Sequence, residues 1–483
     1  MQFIVVFRVL GLLLMVFALT FIPPWLVGWM MGDADLVPFE TSFFVAFVLG
    51  GLLWLPFRHY RHEIKLRDGL LIVVSFWVAL GLMGAVPIYL QPELHVSFSQ
   101  AVFESVSGIT TTGSTVLVGL DALPKSLLFY RQQLQWLGGL GIIVLVVAFM
   151  PLLGVGGMQL YKSEISGPMK DERLSGRISE TAKALWLVYV GLTIVCALAF
   201  KLEGMSWFDA VGHAFSTIST GGFSTHDDSL GYFHSFPIEL TAVVFMILGA
   251  TPMALHYLVL RHISFRAYGK SSEFKFFLLI LALFFSLILL TVIISRPDTE
   301  WLWGARWGLF TLVSLMTTTG FTLTDSTPWP IFLPVLVLAT ALIGGCAGST
   351  AGGLKNVRLL LLTRQGLNEL RKLVHPHAEF VVKLSGRGIS PTVISAVWAF
   401  FAAYVFVFMV IFFLMMATGL DVVSAFGGTI ATITSAGPGL GSVASNFSQA
   451  STGTLWVGTI SMLLGRLEIF TVFVLFLPMF WRR

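Results

Sequence analysis

Apolar runs long enough to cross a bilayer recur from one end of this chain to the other. They limit its possible folds more tightly than any other feature. Val5–Met31, Thr41–Phe57, Leu70–Leu90, Leu127–Leu153, Ala182–Phe200, Ile238–Leu260, Phe274–Ile294, Ile331–Ile343, Val393–Ala417 and Leu455–Trp481 carry few charges. Most reach the roughly 20 residues that a spanning helix needs. Only 11% of the 483 residues are charged, against about a quarter in a soluble domain. The expected fold is an all-α polytopic membrane protein. The first run is too long for a signal peptide, holds Pro23, Pro24 and Trp25, and precedes no small-residue cleavage site, so it reads as a retained helix. Cys196 and Cys346 both lie in apolar segments, which argues against a disulfide framework or a thiolate metal site.

Charge placement gives the orientation. Segments 32–40, 91–130, 203–239, 296–329 and 419–454 hold many carboxylates but only Lys125, Arg296 and Arg306 as basic residues. The alternate segments carry the basic stretches Arg58–Arg67, Lys162–Lys183, Arg261–Lys275 and Lys355–Arg387. The positive-inside rule then puts both termini in the cytoplasm. An acidic outer face would raise the cation concentration at an entrance there. Basic charge dispersed over membrane-flanking loops does not read as a nucleic-acid surface.

A motif occurs four times between these runs: Phe98–Thr115, Trp207–Ser224, Gly304–Thr322 and Val422–Gly439. Aligned on Gly113, Gly222, Gly320 and Gly437, the copies share a small residue 12 positions earlier (Ala101, Ala210, Gly308, Ala425). Four positions earlier stands an apolar one, Ile109, Ile218, Met316 or Ile433. The stretch before each glycine is too short to cross the bilayer and suits a re-entrant segment. Irregular, hydroxyl-rich backbone at that depth must be buried in protein or line a water-filled cavity. A single Thr/Gly cluster is ordinary helix-packing or turn sequence; four copies, each preceded and followed by an apolar span, call for one common role. Each unit reads as span, short helix, extended loop, span.

Four such units around an axis would bring four loops to one point, where backbone carbonyls replace the hydration shell of a cation. The short helices would aim their negative ends at it. The candidate potassium ligands are Thr110, Thr111, Thr112 and Gly113; Ser219, Thr220, Gly221 and Gly222; Thr318, Thr319 and Gly320; and Thr434, Ser435, Ala436 and Gly437. The expected division is two extra N-terminal helices in 1–68, then pore repeats in 69–160, 161–270, 271–388 and 389–483.

The repeats, together with Glu104–Asp121, Phe129–Leu145, Gly154–Asp171, Ser219–Asp227, Ile343–Lys355 and Gly465–Thr471, resemble the Trk/Ktr/HKT potassium transporters over nearly the whole chain. The resemblance implies potassium uptake across a bacterial cytoplasmic (inner) membrane. It also implies a homodimer in which each protomer has its own pore, and a cytosolic nucleotide-binding regulatory subunit of the TrkA kind. No covalent cofactor is implied; potassium is the transported ligand, and any nucleotide belongs to the partner. The second loop at Ser219–Thr220, the fourth loop (Thr432–Gly441) and Pro252 depart from the family's usual residues, and Pro252 is placed to kink its helix.

Two further places draw notice. Ile343–Lys355 is glycine-rich enough to break its span within the membrane. It is no phosphate loop, because Leu354 and Lys355 follow Gly353 and no strand precedes it. Its residues Gly344, Gly345, Ala347, Gly348, Ser349, Thr350, Gly352 and Gly353 suit a movable barrier, and the resemblance makes this segment a gating loop. Arg466 is a charge inside the last run, a placement that calls for a cavity or a partner such as Glu468 or a helix carbonyl. The family reading puts it at the gate. A sodium- or proton-coupled carrier is the alternative function, with Glu468 as the main intramembrane carboxylate. An enzyme is not expected, since no metal-ligand cluster or nucleophile–base pairing is evident within the membrane.

Overall fold

The computed structural model describes residues 2–60, 64–139, 141, 178–295, 301–323 and 332–482. The junction expected at 160–161, the motif Gly154–Asp171 and the basic stretch Lys162–Arg177 lie outside them. Helices α1 (Phe3–Ala18), α2 (Ile22–Met31) and α3 (Val37–Trp54) precede the first repeat, which holds α4 (Leu66–Leu90), α5 (Phe98–Ile109) and α6 (Lys125–Gly139). The second has α7 (Ile178–Leu202), α8 (Trp207–Ile218), α9 (Phe236–Gly249) and α10 (Met253–His262). The third has α11 (Ser272–Ser295), α12 (Trp301–Met316), α13 (Phe332–Ile343) and α14 (Asn356–Val374). After a short hairpin of β1 (Lys383–Leu384) and β2 (Arg387–Gly388) come α15 (Pro391–Ala417), α16 (Val422–Ile433), α17 (Thr452–Arg466) and α18 (Ile469–Phe473).

Among the described residues, six helices are long and apolar enough to cross a membrane, or up to eight if each bent pair is one span. The short helices α5, α8 and α16 have 12 residues each, about 18 Å at 1.5 Å per residue. That is well short of a hydrocarbon core of roughly 30 Å. Each starts at a polar cap 16 positions before its glycine. Ser97 accepts from Gln100 N, Ser206 from Asp209 N, and Asp421 from Val423 N and Ser424 N. These caps satisfy backbone donors that would otherwise be orphaned at a helix start.

The repeats are packed in a ring. Each short helix touches the span before it in its own repeat, and also the span that follows the preceding repeat's loop: α8 meets α6, α12 meets α9, α16 meets α13, and α5 meets α17. The last of these pairs closes the circle. The N-terminal helices cover the first repeat, α1 against α4 and α2 against α6.

The sequence suggested uninterrupted spans after the loops in all but the third repeat, with a possible kink at Pro252. The structure differs. The span after the second loop bends by 96° between α9 and α10, and the span after the fourth bends by 106° after α17. Pro252 explains the first break, because its ring cannot continue the preceding helix. At the second, Glu468 takes φ 54°. The third span breaks between Ile343 and Asn356, at the glycine-rich segment.

Candidate functional site

All four loops share one backbone conformation. Thr111 (φ 57°) and Gly113 (83°), Thr220 (52°) and Gly222 (78°), Thr318 (56°) and Gly320 (84°), and Ser435 (56°) and Gly437 (87°) are left-handed, while the residue between each pair is not. Alternating handedness turns successive peptide groups so that like ends face one side. The glycines are needed for contact as well as conformation. A Cβ on Gly113 would overlap the Gly221 carbonyl oxygen, one on Gly222 that of Thr319, and one on Gly320 that of Ala436. One on Gly437 would lie 2.8 Å from the Thr112 oxygen. Each loop thus abuts the next, and the fourth returns to the first.

Side chains at the end of each short helix stabilise this shape. Thr110 Oγ1 donates to Val106 O, Thr317 Oγ1 to Val313 O and Thr434 Oγ1 to Ile430 O, each at 2.7 Å. The Thr110 and Thr434 hydroxyls therefore serve their own helices, and what these residues offer the ring is main chain. Ser219 Oγ donates in the same way to Ser216 O at 3.3 Å.

A buried polar buttress behind the first two loops escaped the sequence reading. Arg131 and Glu104 pair at 2.8 Å with side chains 1% and 0% exposed. Glu104 also accepts from Val116 N (2.8 Å) and Thr115 Oγ1 (2.9 Å). Arg131 donates to Ser224 O at 3.3 Å and lies 4.2 Å from the Phe223 ring centroid. One ion pair thus ties the exits of loops one and two. The signal was present as a charged residue inside each of two apolar segments.

Beneath the ring lies the glycine-rich segment. Thr350 Oγ1 donates to Ile218 O and Gly249 O, both at 3.0 Å, and receives Thr220 Oγ1 at 3.2 Å. Gly352 N donates to Thr318 Oγ1 (2.7 Å), and Gly353 N to Thr434 O (3.1 Å). Gly348 O accepts from Met253 N at 3.1 Å, and Ser349 Oγ turns back to Cys346 O at 2.6 Å. The break at Pro252 is thus where the segment rests. Gly344, Gly345 and Ala347 make other bonds, the first two to Asn356 (2.6 and 2.9 Å) and Ala347 N to Glu273 (2.6 Å).

Arg466 completes the layer. Nη1 donates to Thr111 Oγ1 (3.3 Å) and Thr350 O (3.2 Å), and Nη2 to Gly139 O (2.9 Å) and Gly138 O. The segment holds the second, third and fourth loops, and Arg466 holds the first. Glu468 is bonded to Arg358 Nη2 at 2.8 Å, and Arg358 lies 3.9 Å from the Phe400 ring centroid. A cavity of about 130 Å³ below is lined by Lys355, Arg358, Tyr404, Arg466 and Glu468 among others. Lys355 was not singled out from sequence; it is buried, left-handed at φ 76°, and its Nζ donates to Ala351 O.

On the opposite, carboxylate-rich face, His226 joins repeats one and two. Its Nδ1 meets Asp121, its Nε2 lies 3.4 Å from Asp209, and its ring stacks on Tyr232 at 3.5 Å. Burial alone would lower the imidazole pKa, but hydrogen bonds and the charges of Asp209 and Asp121 outweigh it and raise the value.

The chain matches the family described as "TrkH: Cation transport protein" over residues 38–483. It is 50% identical over 484 residues to the Trk system potassium uptake protein TrkH of Vibrio parahaemolyticus, covering 100% of both chains. The protein of the same name from Escherichia coli K12 is 47% identical, again over 100% of both. TrkG of that organism is 37% identical over 99% of this chain and 98% of its own length. Among solved structures, the crystal structure of the potassium transporter TrkH from Vibrio parahaemolyticus superposes with a TM-score of 0.91, at 48% identity and covering 100% of both chains.

Proposed function

The chain belongs to the TrkH cation-transport family, and from that premise we propose that it takes up potassium through a channel-like pore whose filter is the ring of four loops. The observation that carries this reading is the ring itself: four left-handed glycines, each against the backbone of the neighbouring loop. Such backbone offers carbonyl oxygens in place of ion hydration. The four short helices end where the loops begin and present their negative ends there. The membrane potential supplies roughly 2.3 kcal/mol per charge per 100 mV, so no coupled ion is required. Glu468, the carboxylate a coupled carrier would use, is engaged by Arg358.

In this reading the segment Gly344–Gly353 and Arg466 form the gate, a steric and positively charged barrier on the inner side of the filter. The relatives are named as proteins of a Trk system, which supports partner subunits. The proposed partner is a cytosolic, nucleotide-binding subunit of the TrkA kind that pulls on α14. Arg364, Arg371, Lys372 and Lys383 are the basic side chains offered to it, since Arg358 is buried. The further proposals are a homodimer, an inner-membrane location and cytoplasmic termini.

Purified chain in liposomes should carry potassium faster than sodium, and Gly113→Val, which forces a β-branched residue into φ 83°, should abolish that preference or the flux. Sodium flux equal to potassium flux in the unaltered chain would overturn the reading.

A further inference from the structure

The four loops differ in what stands immediately before the filter glycine: Thr112, Gly221, Thr319 and Ala436. Gly221 is not left-handed, so its backbone conformation does not call for glycine. Space does. A Cβ there would overlap Gln135 Cδ and lie 2.6 Å from its Oε1. Gln135 is fully buried on α6, the span following the first loop. Its Nε2 donates to Gly221 O at 2.6 Å, and its Oε1 accepts from Phe223 N at 3.0 Å. The side-chain amide therefore bonds a filter carbonyl and the next available N–H on either side of Gly222, as a neighbouring strand would.

Position Gln135 has counterparts. Gly138, Gly249 and Gly465 each pack against the carbonyl of the residue ending a short helix, Ile109, Ile218 and Ile433. Three residues before them stand Gln135, Met246 and Met462, all fully buried. Only the first of these three carries hydrogen-bonding groups. Gln132, one turn earlier, repeats the pattern: Gly212 of α8 leaves room for its amide, and its Nε2 reaches Phe223 O at 3.5 Å.

We infer that Gln135 is a positioning residue that sets ion discrimination by fixing the Gly221 carbonyl and the second filter loop, with Gly221 retained to admit it. This rests on the potassium-pore reading. Among the described residues, loop two is the one held by a side-chain amide from the preceding repeat, so the ring is asymmetric by construction.

The test is cation flux in liposomes containing the full chain, comparing potassium, rubidium and sodium. Gln135→Met, which installs the residue of the second and fourth repeats, should carry potassium with its preference over sodium reduced about tenfold, the order of one buried hydrogen bond. Gly221→Ala, whose methyl would displace the amide, should lower the preference similarly, and the double variant should be no worse than the poorer single one. If Gln135→Met is not recovered from membranes, Gly221→Ala decides alone. Preference unchanged from the unaltered chain in either recovered single variant overturns the inference while leaving the pore reading intact. Absence of potassium preference in the unaltered chain overturns both.

Discussion

Arg131 and Glu104 are enclosed where neither charge can reach water, and together they satisfy groups on two loops. Removing one partner leaves the other charge buried and unpaired, a loss of about 3–5 kcal/mol, whereas replacing both with apolar residues costs much less. Arg131→Met should therefore lower the unfolding midpoint in detergent more than the double change with Glu104→Leu does. His226 acts at the carboxylate-rich face with the opposite pH dependence to a carboxylate. Its pKa is raised on folding, so its contribution is complete below the ordinary imidazole value of about 6.5 and is lost as pH rises through the higher folded value. The depressed values of Asp121 and Asp209 act only in acid, below the ordinary carboxylate value of about 3.9. Between pH 6 and 9, a range of roughly three units around and above the imidazole value, the unfolding midpoint should fall towards the alkaline end, and His226→Gln should flatten that slope.

The short capped helix, the left-handed loop and the broken span behind it are the working elements, and they were unequally legible. The repeat could be found because glycine at a left-handed position and a small residue at a crowded helix contact are dictated by local sterics. Gly113, Gly222, Gly320 and Gly437 accordingly stand where the spacing put them. The break at Ile343–Lys355 was visible for the same reason. The break after Arg466 was not, because it falls in an apolar run without glycine or proline after Gly465 until Pro478. Gln135 acts through contacts with a distant segment, which periodicity does not encode. If the segment and Arg466 form the gate, Arg466→Ala removes the bonds to Thr111 and Thr350, and deletion within Ala347–Gly352 removes the crossbar. Each should raise flux in the absence of any partner while leaving the order of ion preference in place, since neither change replaces a filter residue. Basal flux equal to that of the unaltered chain in both variants would locate the gate elsewhere.

At the scale of the whole molecule, four tandem units close into a ring because each short helix packs on the span left by the unit before it, with α5 against α17 joining the ends. In the proposed pore, four like units about one axis would give one axial path rather than two inverted halves rocking about a midplane site. Passive conduction along that path is the central claim. The most direct measurement is the reversal potential of current through the reconstituted chain, under opposed potassium and sodium gradients and then with a pH gradient added. The expected result is reversal close to the potassium equilibrium potential, unmoved by pH or by sodium. A reversal potential that shifts with the proton or sodium gradient would mean coupled transport and would contradict the pore.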